Sequence, residues 1–168
     1  FISFSLTIWV WLNLDIPIYA CSISEFNGEP ADLALCVFTV LSYNTTEDAI
    51  KAIISNIANN LKSKGYFFFD LPDAVFFNMG NLFNINRSNF RRTVDIIPTA
   101  DNSLYTYSEV CSGVFNGNEF SYEDHFSLKQ WDKNYINQIL VNAGFSLLSK
   151  NYPQFASSGS SYFLYQKD

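Results

Sequence analysis

A chain of 168 residues that is 48% apolar and 15% charged is long enough for one folded domain with a real core, and too apolar for disorder. Its 10 Lys and Arg against 16 Asp and Glu leave a net charge of -6, which speaks against a broad nucleic-acid surface, because neutralising phosphates takes clustered cations. Three cysteines, Cys21, Cys36 and Cys111, have neither disulfide nor metal-ligand spacing, so a reduced, cytoplasmic setting is expected; the single histidine, His125, excludes a site built from several imidazoles.

The chain opens on Phe1 to Leu14, which is almost wholly apolar yet shorter than the roughly twenty residues of a membrane span and without a signal-peptide pattern. No membrane partner is expected. Two readings stand, core sequence at the cut end of a fragment or unrelated sequence joined to a truncated domain. In either case large side chains such as Trp9 and Trp11 lack a sheet to join, and self-association through this terminus follows. Ile16 to Ile23 reads as a short strand, and Ser24 to Ala31 as a polar loop with a Gly28-Glu29-Pro30 turn.

Asp32 to Leu41 is a near-continuous apolar run, the pattern of a strand covered on both faces. Thr45 or Thr46 caps a helix from Glu47 to about Leu61, with acids Glu47 and Asp48 in its first turn and Ile50, Ile53, Ile54, Ile57 and Leu61 at helical spacing. Lys62 and Lys64 complement its end and Gly65 supplies a left-handed stop. Tyr66 to Leu71 is a second apolar strand. Together these predict a right-handed βαβ unit with parallel strands, whose carboxyl ends are where such sheets place ligands. Asp70 stands at one of those ends, as a site residue or as a cap on the next segment.

Asp73 to Phe83 reads as a short helix that could cover a pocket. Phe90 to Ile97, Ser103 to Ser112 and Glu119 to Leu128 alternate and are separated by turn sequences, which predicts a small antiparallel sheet. The local basic run, Arg87 to Arg92, reads as a solvated strand end. Lys129 to Ala143 is a second amphipathic helix closed by Gly144, and Phe145 to Tyr152 pairs with Ser161 to Gln166 as a final hairpin.

Three stretches carry a family likeness. Asp32 to Tyr43 is an acid, an apolar run and a Tyr; Leu61-Lys62-Ser63-Lys64-Gly65 ends the helix that follows; and Tyr122-Glu123-Asp124-His125-Phe126 precedes a helix ending in Leu140-Val141-Asn142-Ala143-Gly144-Phe145. In this order they resemble the second half of a class I S-adenosylmethionine-dependent methyltransferase, over about Ile16 to Lys167. The resemblance implies an α/β fold: a partial Rossmann-like methyltransferase sheet of parallel strands plus a carboxyl-terminal antiparallel hairpin, with an inserted small antiparallel sheet. One truncated domain over 1–168 is expected, with core sheet and helices in 16–71 and 129–167 and an inserted substrate-side cover in 73–128.

The same resemblance implies S-adenosyl-L-methionine as cofactor and a small-molecule acceptor as partner. Ser22 and Ile23 would lie beside the adenine, Cys36, Val37 and Phe38 at the methionine end, and Thr39 to Tyr43 beside the reacting methyl. No Gly-x-Gly occurs upstream of Asp32, so the Gly-rich cofactor loop of the family is absent from this sequence and weak binding is expected. For catalysis the candidates are Tyr43 and the pair Glu123 and His125, which share one face of a strand and could take a proton from an acceptor. The alternatives are a non-catalytic methyltransferase-like binding or regulatory module that needs a partner, and an enzyme of another doubly wound family.

Overall fold

The computed structural model describes residues 19–79, 83–150 and 152–168. The run Phe1 to Leu14, with the self-association expected of it, lies outside them. Of the strand expected over Ile16 to Ile23, residues 19–23 are described and form a bend and turn.

Among the described residues the strands form two four-stranded sheets. The first has β1 (Ala31–Cys36), β2 (Leu61–Pro72), β7 (Phe145–Ser149) and β8 (Ser160–Lys167) in the order β1-β2-β8-β7. β1 and β2 are parallel, with Leu33 beside Tyr66 and Cys36 beside Phe69, as the βαβ reading requires. β8 runs antiparallel to β2 and to β7. Helix α1 (Glu47–Asn59) makes the crossover, its first turn capped by the Thr46 side chain, which accepts from the Ala49 N–H. Its isoleucines Ile50, Ile53, Ile54 and Ile57 enter one buried cluster with Trp131, Ile136 and Leu140 of the segment leading into and through α3 (Lys133–Asn142). Beneath both helices lies an aromatic ladder: Phe67 stacks on Phe69 at 4.7 Å, and Phe69 on Phe163 at 5.3 Å and on Tyr165 at 5.8 Å.

Three local expectations change. β1 is not covered on both faces: it is the sheet edge among the described residues, and Leu33 and Leu35, whose parity turns them away from the helices, are 48% and 59% exposed. It also stops at Cys36 instead of Leu41, because Phe38 and Thr39 both take left-handed backbone (φ 66° and 64°) and a 3-10 turn, Val40–Tyr43, follows. At the end of α1 the left-handed residue is Lys64, not Gly65. Gly65 is needed for a close approach: a Cβ there would sit 2.9 Å from the Lys62 carbonyl oxygen and 3.3 Å from those of Ala31 and Asp32.

The second sheet has β3 (Ile85–Arg87), β4 (Phe90–Pro98), β5 (Leu104–Phe115) and β6 (Asn118–Lys129) in sequence order, all antiparallel, as the hairpin signals predict, with β3 as an added edge. The β5–β6 turn is Asn116-Gly117, both at positive φ, the two-residue geometry that suits a twisted hairpin. A separate small cluster, Phe77 of the short helix α2 (Ala74–Phe77) with Val94, Tyr107 and Leu128, ties this sheet to the chain beside it. Among the described residues no helix is long and apolar enough to cross a membrane.

Candidate active site

The carboxyl ends of β1 and β2 meet at Asp70. Only 1% exposed, its carboxylate accepts the Thr39 N–H at 3.0 Å (Oδ1) and 3.3 Å (Oδ2). Burial raises its pKa, and the hydrogen bond from Thr39 offsets part of that rise. Asp70 thus fixes the left-handed turn of Phe38 and Thr39, and it does not cap the segment after Pro72. A second anchor holds the other end of this loop, where the Trp131 indole N–H reaches the carbonyls of Leu41 (3.3 Å) and Asn44 (3.1 Å). Cys36, just below the turn, is a buried thiol pushed up to about 12 by desolvation and by the nearby Asp70 charge, so it is neutral and no nucleophile.

The turn presents Tyr43 to the second sheet. Its ring lies 5.0 Å from Phe126, which stacks on Tyr107 at 4.4 Å. Register places Tyr107, Glu109 and Cys111 of β5 opposite Phe126, Asp124 and Tyr122 of β6, and Arg92 of β4 opposite Cys111, all on this inner face. There Glu109 is the hub of a network. It accepts from Arg92 at 2.9 Å, Tyr107 at 2.8 Å, Tyr122 at 2.9 Å and the Cys111 thiol at 3.1 Å. Burial alone would raise its pKa, but these four donors prevail and hold it at about 2. Burial and the Glu109 contact raise Tyr107; burial, with the charges of Asp124 and Glu109, raises Tyr43. Both phenols stay protonated donors.

The candidates from sequence are distributed unevenly over this frame. Tyr43, Val37 and Phe38 lie at the carboxyl end of β1, and Phe38 is exposed there. Ser22 and Ile23 lie at the opposite end, where Asn56 in the last turn of α1 donates to the Ile23 carbonyl at 2.7 Å and Asn60 accepts the Ala31 N–H. The structure does not bring the two groups together. Glu123 and His125 do pair, with Nε2 2.8 Å from Oε1, and His125 Nδ1 lies 2.9 Å from Ser108 Oγ. Their parity puts them on the outer, solvent face, away from Tyr43. The inner-face residues Arg92, Tyr107, Glu109 and Asp124 are the ones sequence reasoning misses. The Asn116-Gly117 turn could have found them, since a two-residue loop fixes Phe115 opposite Asn118 and with it every pair up the hairpin.

No protein-family model and no curated protein matches the chain. Solved structures do. An S-adenosylmethionine-dependent methyltransferase from Clostridium acetobutylicum matches with a TM-score of 0.78 at 15% identity, over 97% of this chain and 69% of that one. An amino pentose methyltransferase from Micromonospora echinaspora involved in calicheamicin biosynthesis matches at 0.67 and 12%, over 97% and 70%. A sugar N-methyltransferase from a Streptoalloteichus species matches at 0.69 and 10%, over 94% and 65%. At such identities the likeness is one of fold.

Proposed function

We propose that this chain, which has the Rossmann-like fold of class I S-adenosylmethionine-dependent methyltransferases, contributes the acceptor side of a site for methyl transfer to a small molecule. The observation that supports it is the turn at Phe38 and Thr39. Two consecutive left-handed residues without glycine persist only where surrounding structure over-determines them. Here the buried Asp70 does so, at the strand ends where such sheets bind ligands.

The chemistry of this end fits S-adenosyl-L-methionine: a neutral Cys36, apolar Val37, and the exposed ring of Phe38, whose face attracts a cation such as a sulfonium. When bound, that cofactor supplies an electrophilic methyl group. Val37 and Phe38 would wall its methionine end; Ser22 and Ile23 have no part in that wall. Tyr43, tilted by 54° against Phe126, and Phe126, stacked on Tyr107, form an aromatic wall that seats the acceptor and excludes water, and positioning of this kind is most of what the reaction asks of a protein. Asp124, beside Tyr43 on the inner face, accepts the proton released by an acceptor amine or hydroxyl. Glu123 and His125 face away and are not assigned that step. The amino pentose and sugar N-methyltransferases among the neighbours support a polar acceptor about the size of one ring. The cysteines are unpaired, which supports a cytoplasmic setting.

One observation favours the second reading, a non-catalytic module completed by a partner: β1 is the sheet edge among the described residues and leaves Leu33 and Leu35 48% and 59% exposed. Equilibrium dialysis of the full chain with methyl-labelled S-adenosylmethionine separates the two. Saturable binding, weakened severalfold by Phe38→Ala, supports the site. With an acceptor found among amino sugars, Asp124→Asn should depress turnover more than Glu123→Gln. No saturable binding favours the module.

A further inference from the structure

All three arginines of this acidic chain lie between Arg87 and Arg92, around the turn that joins β3 to β4. Arg92 is held by Glu109. Arg87 and Arg91 are exposed, and among the described residues neither has an ion-pair or hydrogen-bond partner. Both line one cavity of about 570 Å³, at the end of the second sheet away from Tyr43. Register sets Arg91 in one cross-strand row with Asn86, Ser112 and Ser121, so that its charge stands among an amide and two hydroxyls that line the same cavity. The turn beside them is pinned onto β5. The Asn89 carbonyl accepts the Val114 N–H at 3.0 Å, and only a glycine at position 113 permits that approach, because a Cβ there would sit 2.5 Å from the same oxygen. Phe90 and Phe120, paired with Gly113 from either side and with rings 6.3 Å apart, supply apolar lining.

We propose that this cavity is a binding site for a small molecule that carries one phosphoryl group on a flat apolar body, separate from the methyl-transfer site and independent of it.

The donor count selects the head group. Each guanidinium offers about five N–H donors in a rigid fork, and a carboxylate is satisfied by one such fork. A phosphoryl group has three terminal oxygens, enough to engage both arginines and the hydroxyls of Ser112 and Ser121 together. Glu119, also in the wall, lowers the positive charge of the cavity and opposes a second phosphate. The rings of Phe90 and Phe120 give the apolar body of the ligand a surface to lie against. Spacing along the strand separates this site from the acceptor seat. Six residues of β4 lead from Phe90 to Ile96, whose row holds Tyr107 and Phe126, and at the rise of a strand that is about 20 Å. A ligand of one ring and one phosphoryl group does not bridge it.

Phenyl phosphate is the probe, with benzoate as a carboxylate of similar size and inorganic phosphate as the head group alone. Titrated into the full chain at low ionic strength and followed by calorimetry, phenyl phosphate should bind saturably and several times more tightly than benzoate, and inorganic phosphate should compete with it. Arg87→Gln and Arg91→Gln, both exchanges of exposed side chains, should each weaken binding severalfold, and Glu119→Gln should tighten it. Lys150→Gln removes an exposed cation elsewhere and should change nothing. Amide shifts in NMR should fall in residues 86–91, 112–114 and 119–121. The absence of saturable binding overturns the proposal, as does benzoate binding as tightly as phenyl phosphate. So does a Lys150→Gln effect equal to that of the arginine variants, which would mean diffuse attraction, and so do shifts centred on Val40–Tyr43, which would put the anion at the acceptor seat. Each of these readouts is obtained without S-adenosylmethionine, so failure here is distinct from failure of the methyl-transfer reading.

Discussion

The two sheets of this chain bury different chemistry. Under α1 and α3 the first sheet packs Phe67, Phe69, Phe163 and Tyr165 ring on ring, and apart from Asp70 and Ser42 at its carboxyl end that interior is apolar. The second sheet has a small apolar cluster at one end and, on the same inner face, a carboxylate ringed by four donors. Burial of hydrocarbon is indifferent to pH and intolerant of lost volume. A half-buried polar network tolerates small changes of shape and fails when one charge loses its partner. The first sheet is thus built to hold the strand ends in place, and the second to present polar groups toward them.

The largest effect should come from the first sheet. Phe67→Ala removes a fully buried ring from the centre of the ladder, where helices and neighbouring rings cannot collapse into the gap, and should cost about 3–5 kcal/mol in denaturant unfolding. Nothing in the second sheet offers so large a target. Its most sensitive position is Glu109, where Glu109→Gln leaves the Arg92 guanidinium and two phenols without their charged acceptor and should cost about 1–3 kcal/mol. Native-state hydrogen exchange distinguishes the two substitutions: Glu109→Gln should loosen β4 to β6 first and leave β2 and β8 protected, whereas Phe67→Ala should lower protection throughout.

Acid should divide the sheets in the same direction. Glu109 is held at about 2 in the fold against an ordinary value of 4.5, so its contribution is fully present above that ordinary value and is lost as pH falls from there toward 2. Asp70 has the opposite sign. Its pKa is raised by burial, so protonation relieves a cost and favours the folded form as pH falls. Following backbone amides by NMR down through this range should show β4 to β6 losing protection before the β1–β2 pair. Simultaneous loss, or earlier loss around Asp70, would mean the Glu109 network does not carry the second sheet.

The same contrast explains what the sequence made legible. Helices α1 and α3 and the hairpins are set by local periodicity and by turn residues such as Asn116-Gly117; they emerge close to where the spacing predicts, except that α3 starts at Lys133 and not at Lys129, because Lys129 ends β6 and Asp132 caps the helix. The end of β1 does not, because nothing in Val37-Phe38-Thr39 announces a left-handed turn; a carboxylate 31 residues away imposes it. Likewise the path of residues 21–28 is fixed by the side chains of Asn56 and Asn60, which no local pattern around Ser22 and Ile23 encodes. At the site, alternation correctly puts Glu123 with His125 and Tyr122 with Asp124. Which of those faces turns inward depends on where Tyr43 docks, and that contact is made between parts of the chain more than eighty residues apart.

The smallest effect is the most discriminating, because it compares two ion pairs of one length. Arg92 to Glu109 and Lys62 to Asp32 both span 2.9 Å, the first in the second sheet and the second at the start of the β1–β2 pair. Side-chain exposure separates them, 29% and 14% for Arg92 and Glu109 against 54% and 82% for Lys62 and Asp32. A pair in water gains little Coulomb energy, gives up side-chain freedom and is screened by salt, so the Lys62 to Asp32 coupling should come to about 0–0.5 kcal/mol in a double-mutant cycle and vanish at high ionic strength. The Arg92 to Glu109 coupling should exceed about 1 kcal/mol and survive salt, since the same separation acts through a poorer dielectric and each phenol depends on the carboxylate remaining charged. Two cycles measured in low and in high salt decide it. Equal couplings would show that distance alone sets the strength of these pairs, and the second sheet would then owe its stability to its small apolar cluster and to its backbone ladder instead of to the network on its inner face.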